Sequence, residues 1–232
     1  MKEVISNSIY FGVALSLLSY VVGMQLKKRF KLSILNPMLV CIVLVILILI
    51  IFDIDYESYN LGGKYLSYLL TPATVCLAIP LYQQLELLKK NFKAIMIGIL
   101  TGVLTSLVSI LALSIIFKLP YELYVTLLPK SITTAIGIAV VEELGGIPTI
   151  TVATIVITGI FGNVIGEGVC KLFKIKNPIS IGLAFGTASH AMGTTRALEI
   201  GEIQGAMSSL SIVVAGLITV LLAPVFATFF IL

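Results

Sequence analysis

Thr187–Glu199 reads T-A-S-H-A-M-G-T-T-R-A-L-E. Within a strongly apolar chain this stretch holds the single histidine, His190, and Arg196, the only arginine of the C-terminal half. Four hydroxyl residues accompany them, Thr187, Ser189, Thr194 and Thr195, and Gly186 and Gly193 bracket the histidine. Charge, hydroxyls and helix-weakening glycine at membrane depth are costly, so their concentration here marks a working part. In a regular helix His190 and Arg196, six residues apart, point about 120° apart. One small ligand reaches both only if the helix unwinds, and Gly193 is the expected place.

The surroundings are those of a membrane protein. The 232 residues are 59% hydrophobic and only 11% charged, with a mean hydropathy of +1.13, against roughly 25% charged in soluble domains. The apolar runs are too long and too little alternating for barrel strands. The expected fold is all-α: a polytopic transmembrane helical bundle of about 7–8 hydrophobic segments, some broken or re-entrant. One integral membrane domain covering 1–232 is the simplest organisation. The net charge of +4 lies in short clusters between apolar runs, which orient a chain in the membrane and do not signal nucleic acid. Cys41, Cys76 and Cys170 read as small buried hydrophobes. No zinc spacing, P-loop or nucleotide-binding glycine pattern occurs, so no metal or cofactor is expected. A cleaved leader is not expected either, because Ser8–Leu26 is long enough to span and runs into the basic cluster Lys27, Lys28, Arg29 and Lys31.

That cluster places its end of the first segment in the cytoplasm. The second segment, near Pro37–Phe52, is apolar throughout and starts at Asn36-Pro37. An acidic loop, Asp53, Asp55 and Glu57, follows. The third, about Lys64–Leu85, is interrupted by Pro72 and Pro80, with Thr71 and Thr74 beside the first break. Glu86, Lys89, Lys90 and Lys93 come next, then a plain span at Ala94–Phe117. The fifth segment, Tyr121–Leu144, breaks at Pro129-Lys130-Ser131, carries Thr133 and Thr134, and leaves through Glu142, Glu143 and Gly145-Gly146. Segment six, Pro148–Cys170, holds Asn163 and Glu167 among glycines and precedes Lys171, Lys174 and Lys176. The seventh, Pro178–Ile200, contains the opening stretch, and the eighth runs from about Gln204 to Ile231.

Charge parity leaves two topologies open. If every segment spans, the lysines at 171–176 face outward, against the positive-inside tendency; if Tyr121–Leu144 dips in and returns, they face the cytoplasm. Two echoes hint at duplication: Leu69–Val75 with Leu127–Thr133, and Phe117-Lys118-Leu119 with Phe173-Lys174-Ile175. A repeated unit of one broken and one straight helix would produce both.

Broken helices expose half-helix ends whose N–H groups favour an anion. Ends after Pro129 and Gly193 each carry a cation, Lys130 or Arg196, and hydroxyl donors, and three breaks at Pro72, Pro129 and Gly193 converging near the midplane would make a transport site. The bland alternatives are specific. Arg196 pairs with Glu199 one helical turn on, His190 is a neutral hydrogen-bonded core residue, Lys130 snorkels to an interface, Glu167 is structural, and Glu142 and Glu143 are solvated. Hydrolysis is excluded as a reading: adjacent Ser189 and His190 diverge by about 100° on a helix, no strained nucleophile turn exists and no acid orients the imidazole. The chain is not expected to be an enzyme.

T-P-A-T-V-C-L-A-I-P-L-Y (Thr71–Tyr82), L-L-P-K-S-I-T-T-A-I-G-I (Leu127–Ile138), E-L-G-G (Glu143–Gly146) and G-T-A-S-H-A-M-G-T-T-R-A-L-E (Gly186–Glu199) resemble the LrgB/CidB family of bacterial inner-membrane proteins, from about Asn36 to the C-terminus. The resemblance implies a multi-pass protein of the bacterial cytoplasmic membrane and two functional descriptions. One is holin/antiholin-like control of murein hydrolase activity and lysis with a small LrgA/CidA-type membrane partner. The other is transport of small monocarboxylates such as pyruvate or glycolate. The broken, cation-bearing helices favour the carrier. The substrate-binding residues carried over from the family are Thr71, Pro72, Thr74, Lys130, Ser131, Thr133, Thr134, His190, Gly193, Thr194 and Arg196. His190 and Glu167 are the candidate proton relays, and a homo-oligomer in the lipid bilayer is expected.

Overall fold

The computed structural model describes residues 8–30 and 35–230, without the side chains of Leu70, Thr71, Thr74 and Leu81. Lys31 and Ile231 therefore lie outside the described residues. Twelve helices and no strand occur among those described: α1 Ile9–Phe30, α2 Pro37–Ile51, α3 Tyr56–Ser67, α4 Leu70–Cys76, α5 Ala78–Gln83, α6 Leu85–Lys90, α7 Phe92–Ile116, α8 Tyr121–Leu127, α9 Thr134–Leu144, α10 Pro148–Leu172, α11 Pro178–Ile200 and α12 Glu202–Thr228. The protein is an all-α, polytopic membrane protein. Of the described helices α1, α7, α10 and α12 are long and apolar enough to cross a bilayer.

Local sequence explains the boundaries. Asn36 accepts from Met38 N at 2.8 Å, with Pro37 in the first turn, and Asn177 accepts from Ile179 N at 2.9 Å ahead of Pro178. An Asn-Pro pair caps two orphan donors and removes a third. Three helices stop in one manner. Asp53, Lys118 and Lys174 all have φ between 50° and 56°, and the residue after each donates back five positions, Ile54 N to Leu49 O, Leu119 N to Ser114 O and Ile175 N to Cys170 O. This is the left-handed C-terminal cap usually given to glycine. The proline-rich third segment breaks into α4, α5 and α6, and Pro72 and Pro80 each sit in the first turn of a short helix, where the missing N–H costs nothing.

The chain forms two compact units, Met1–Cys76 and Leu77–Leu232. In the first, α1 packs on α2 and α3 through glycines. Gly12 lies against the backbone of Tyr59, Gly62 and Gly63, and Gly23 against Pro37. Ser16 Oγ meets Tyr59 Oη at 2.8 Å.

The second unit holds two re-entrant hairpins. Along an unbroken helix residues 126 and 146 would lie about 30 Å apart. Instead a Cβ on Gly146 would lie 3.1 Å from Thr126 N, Ile147 N donates to Thr126 Oγ1 at 2.8 Å, and Thr151 Oγ1 donates to Thr126 O at 2.9 Å. The segment Tyr121–Leu144 therefore enters as α8, turns at 128–133 and returns as α9. The re-entrant topology holds, and within this unit Lys89, Lys90 and Lys93 share a face with Lys171, Lys174 and Lys176. The positive-inside tendency makes it the cytoplasmic face.

Helix α11 is the second hairpin. Ser189 (φ −136°, ψ 15°) and His190 (φ 43°, ψ −136°) are non-helical. The outgoing arm, 178–188, runs parallel to the start of α12, with Gly182 against Gln204 and Met207, and Gly186 against Ser208 and Ser211. The returning arm, 191–200, runs antiparallel to it: Thr194 meets Ser208 and Leu198 meets Gly205. Each arm rises about 15 Å, so the tip lies near mid-membrane. The break falls at Ser189–His190, not at Gly193. Gly193 instead lies where the two arms touch, against Phe185.

The hairpins belong to a repeat. Phe92/Pro148, Phe117/Phe173, Gly137/Gly193, Glu143/Glu199 and Gly145/Gly201 all differ by 56 positions. The unit is one straight helix followed by one hairpin, the reverse of the order the sequence implied. The echo between Leu69–Val75 and Leu127–Thr133 is local only, since α4 is helical and 128–133 is not. One crossing per unit makes successive units inverted in the membrane.

Candidate functional site at the two hairpin tips

The first tip is Leu128–Thr133, and it is buried. Leu128 is 1% exposed, Ile132 2% and Ser131 8%. Lys130 is half-buried and donates from Nζ to Ser131 Oγ at 3.0 Å, and Ser131 Oγ lies 3.2 Å from Ser106 Oγ on α7. Thr133 caps α9 through its backbone, its carbonyl accepting from Gly137 N at 2.8 Å, and Thr134 opens that helix half-buried.

The second tip is built on glycine. A Cβ on Gly159 would meet the His190 ring at 2.6 Å, and one on Gly162 would collide with Ser189 Oγ. These two gaps on α10 let the tip sit against the helix. His190 is 5% exposed, and its Nε2 lies 3.0 Å from Ile155 O. A carbonyl only accepts, so Nε2 carries a proton and donates to it. Thr194 Oγ1 donates to His190 O at 3.0 Å and meets Ser208 Oγ at 2.7 Å.

A cavity lies where the first tip meets the outgoing arm of the second hairpin, two residues before its turn. Ser131, Ile132 and Leu128 line one side, Thr187 of the second hairpin another, and Val103, Ser106, Leu107, Ala215 and Thr219 the helices around it. Four hydroxyl residues thus line a space of about 10 Å³, enough for one water, with Thr187 Oγ1 also donating to Leu183 O at 2.7 Å. Lys130 stands beside the cavity on Ser131.

Arg196 goes elsewhere. It pairs with Glu199 at 2.5 Å and with Glu167 of α10, and Glu167 also pairs with Lys171 at 2.7 Å. Both oxygens of Glu167 are engaged and Arg196 lies between two carboxylates, Glu199 as the pairing reading of Arg196 had it and Glu167 in addition. Pro72 is exposed in α4, and the side chains of Thr71 and Thr74 lie outside the described residues. Glu142 and Glu143 are exposed. The sequence reading passed over Ser106, Thr219, Ser208 and the receiving glycines Gly159 and Gly162. Only the glycine clustering on segment six could have signalled them. No group of metal-ligating side chains occurs among the described residues.

Residues 16–229 match the LrgB-like family. Proteins named antiholin-like protein LrgB are 38% identical in Bacillus mycoides and 37% identical in Bacillus cereus and Bacillus anthracis, each over 95% of this chain and 96% of the relative. No solved structure matches. A match of this extent, on a multi-pass helical protein of the bacterial membrane, places the chain in the LrgB family.

Proposed function

We propose that the second unit is a carrier core that moves a small monocarboxylate of the size of pyruvate or glycolate between its hairpin tips. The observation that carries this reading is the cavity at the first tip, lined by four hydroxyl residues, with half-buried Lys130 beside it on Ser131 at membrane depth. A lysine there is expensive and is kept where it faces a polar cavity or an ionic substrate. Ser106, Ser131, Thr187 and Thr219 orient the acid, Lys130 balances its single charge, and Nδ1 of His190 accepts a coupling proton. The cavity as it stands admits one water, so the tips part to load and close on the ligand, as a carrier requires and an open pore does not.

Liposomes holding the purified protein test this reading. Saturable uptake of labelled pyruvate or glycolate, lost in Lys130→Met, is the expected result. Release of an encapsulated dye that ignores Lys130→Met overturns it. A second reading starts from the antiholin-like name of the relatives and adds what the family resemblance implies: control of murein hydrolase activity through assembly with a small LrgA/CidA-type membrane protein. In that case co-reconstitution with such a partner changes dye release, and carboxylate gradients do not.

A further inference from the structure

The two repeats place opposite chemistry at equivalent positions of the hairpin and its preceding helix. The returning arm of the second hairpin is joined to α10 by a row of polar contacts, beyond the place where Met192 packs at Gly159. Asn163 Nδ2 donates to Met192 O at 2.6 Å and lies 3.2 Å from Thr195 Oγ1, and Arg196 pairs with Glu167. At the equivalent places of the first repeat, 56 positions earlier, stand Leu107, Leu111, Ala139 and Val140. Leu107 and Val140 belong to the main apolar core and Leu111 packs on it. The difference decides which hairpin opens at lower cost. Parting an apolar seam wets apolar surface, whereas parting a polar one exchanges each contact for water. The side chains of Arg196 and Glu167 are 31% and 36% exposed.

We propose that the Glu167–Arg196 pair, with Lys171 and Glu199 flanking it, is a latch that keeps the second hairpin closed toward the lysine-rich face. The first hairpin stays shut as that one opens. The latch controls access to the tip cavity, and it rests on the carrier reading only for what passes through.

The test reads access, not transport. Thr187 lines the cavity, so Thr187→Cys, in a chain with Cys41, Cys76 and Cys170 replaced by alanine, reports entry of a membrane-impermeant thiol reagent. Glu167→Gln and Arg196→Gln are expected to speed labelling from the lysine-rich face by roughly two- to fivefold, the range of a half-exposed ion pair. Labelling from the opposite face stays unchanged, and Arg196→Lys, which keeps the charge, stays near the parent rate. A disulfide between Asn163→Cys and Thr195→Cys, introduced in place of the two neutralising changes, is expected to abolish labelling from that face until it is reduced. Rates that ignore both neutralising variants, or that rise equally from both faces, overturn the latch. Faster labelling in liposomes that show no carboxylate uptake keeps the latch and removes the carrier. Uptake with insensitive labelling does the reverse.

Discussion

Gly193 lies with its α-carbon against the carbonyl group of Phe185, where a Cβ would come within 3.1 Å of the carbonyl carbon. An unbroken helix would hold these residues about 12 Å apart, so the contact exists only because the chain folds back at His190. At the same place in the first hairpin a Cβ on Gly137 would lie 3.7 Å from Pro129. The obstruction at Gly193 is backbone and cannot rotate away. Gly193→Ala is therefore expected to cost about 1–3 kcal/mol, as overpacking does, read as a lower thermal midpoint of the detergent-purified protein. Gly168→Ala, at a glycine with nothing within 4 Å, is the control, and it leaves the midpoint level or raises it.

The re-entrant topology makes a prediction independent of function. Glu122 and Glu143 are exposed at the two ends of the first hairpin. In a spanning segment they would face opposite sides of the bilayer; in a hairpin they share one. Glu122→Cys and Glu143→Cys, each alone in a cysteine-free chain, are expected to label from the same face, and Lys176→Cys from the other. Labelling of the first two from opposite faces would refute the hairpin.

Most helix boundaries were legible because they rest on local chemistry. Segments five and seven read as Tyr121–Leu144 and Pro178–Ile200, the limits the structure shows, since Asn-Pro and proline starts and glycine exits are written into neighbouring residues. The turn at His190 was not legible. Ser189 and His190 carry no breaker, and the visible glycine, Gly193, serves the contact between arms four residues later. The left-handed φ at His190 is held by tertiary partners, Gly159, Gly162 and the Ile155 carbonyl, which one-dimensional spacing does not reveal. The repeat was half visible: Phe117-Lys118-Leu119 and Phe173-Lys174-Ile175 matched because both end a helix in one way, while the arms between had diverged.

Outside the membrane segments, Asp55 offers a pH test. It caps α3, accepting from Ser58 N at 2.9 Å and from Ser58 Oγ at 2.8 Å, and these bonds hold its carboxyl below the usual carboxylate value. A lowered folded-state value stabilises the folded form at any pH above the unfolded value. That contribution fades as pH falls through the folded one. Asp55→Asn keeps a capping oxygen without the charge. The gap between parent and variant stability is thus expected to be constant at neutral pH and to narrow only in acid below the ordinary carboxylate range. Thermal midpoints followed from pH 7 downward check it. A gap that opens between pH 5 and 7 would contradict the assignment.

The hydroxyls of α7 separate cavity chemistry from helix solvation. Thr101, Thr105 and Ser109 are exposed, and each returns its proton to a carbonyl four residues back, at 2.5 Å, 2.7 Å and 2.6 Å. Such a bond satisfies the hydroxyl within its own helix, so removing it changes little. Ser106 points the other way, onto Ser131 and through it to Lys130. Deleting Ser106 Oγ takes one of four hydroxyls from the tip cavity and unsettles the placement of the lysine. Ser106→Ala is expected to weaken carboxylate uptake by roughly five- to tenfold, the worth of one ordinary hydrogen bond, while Ser109→Ala leaves it within twofold. If the carrier reading holds, the loss falls mainly on apparent affinity, and initial rates over a range of pyruvate concentrations separate it from a loss of folded protein. Equal effects from Ser106→Ala and Ser109→Ala would mean that the cavity between the tips is not where the acid binds.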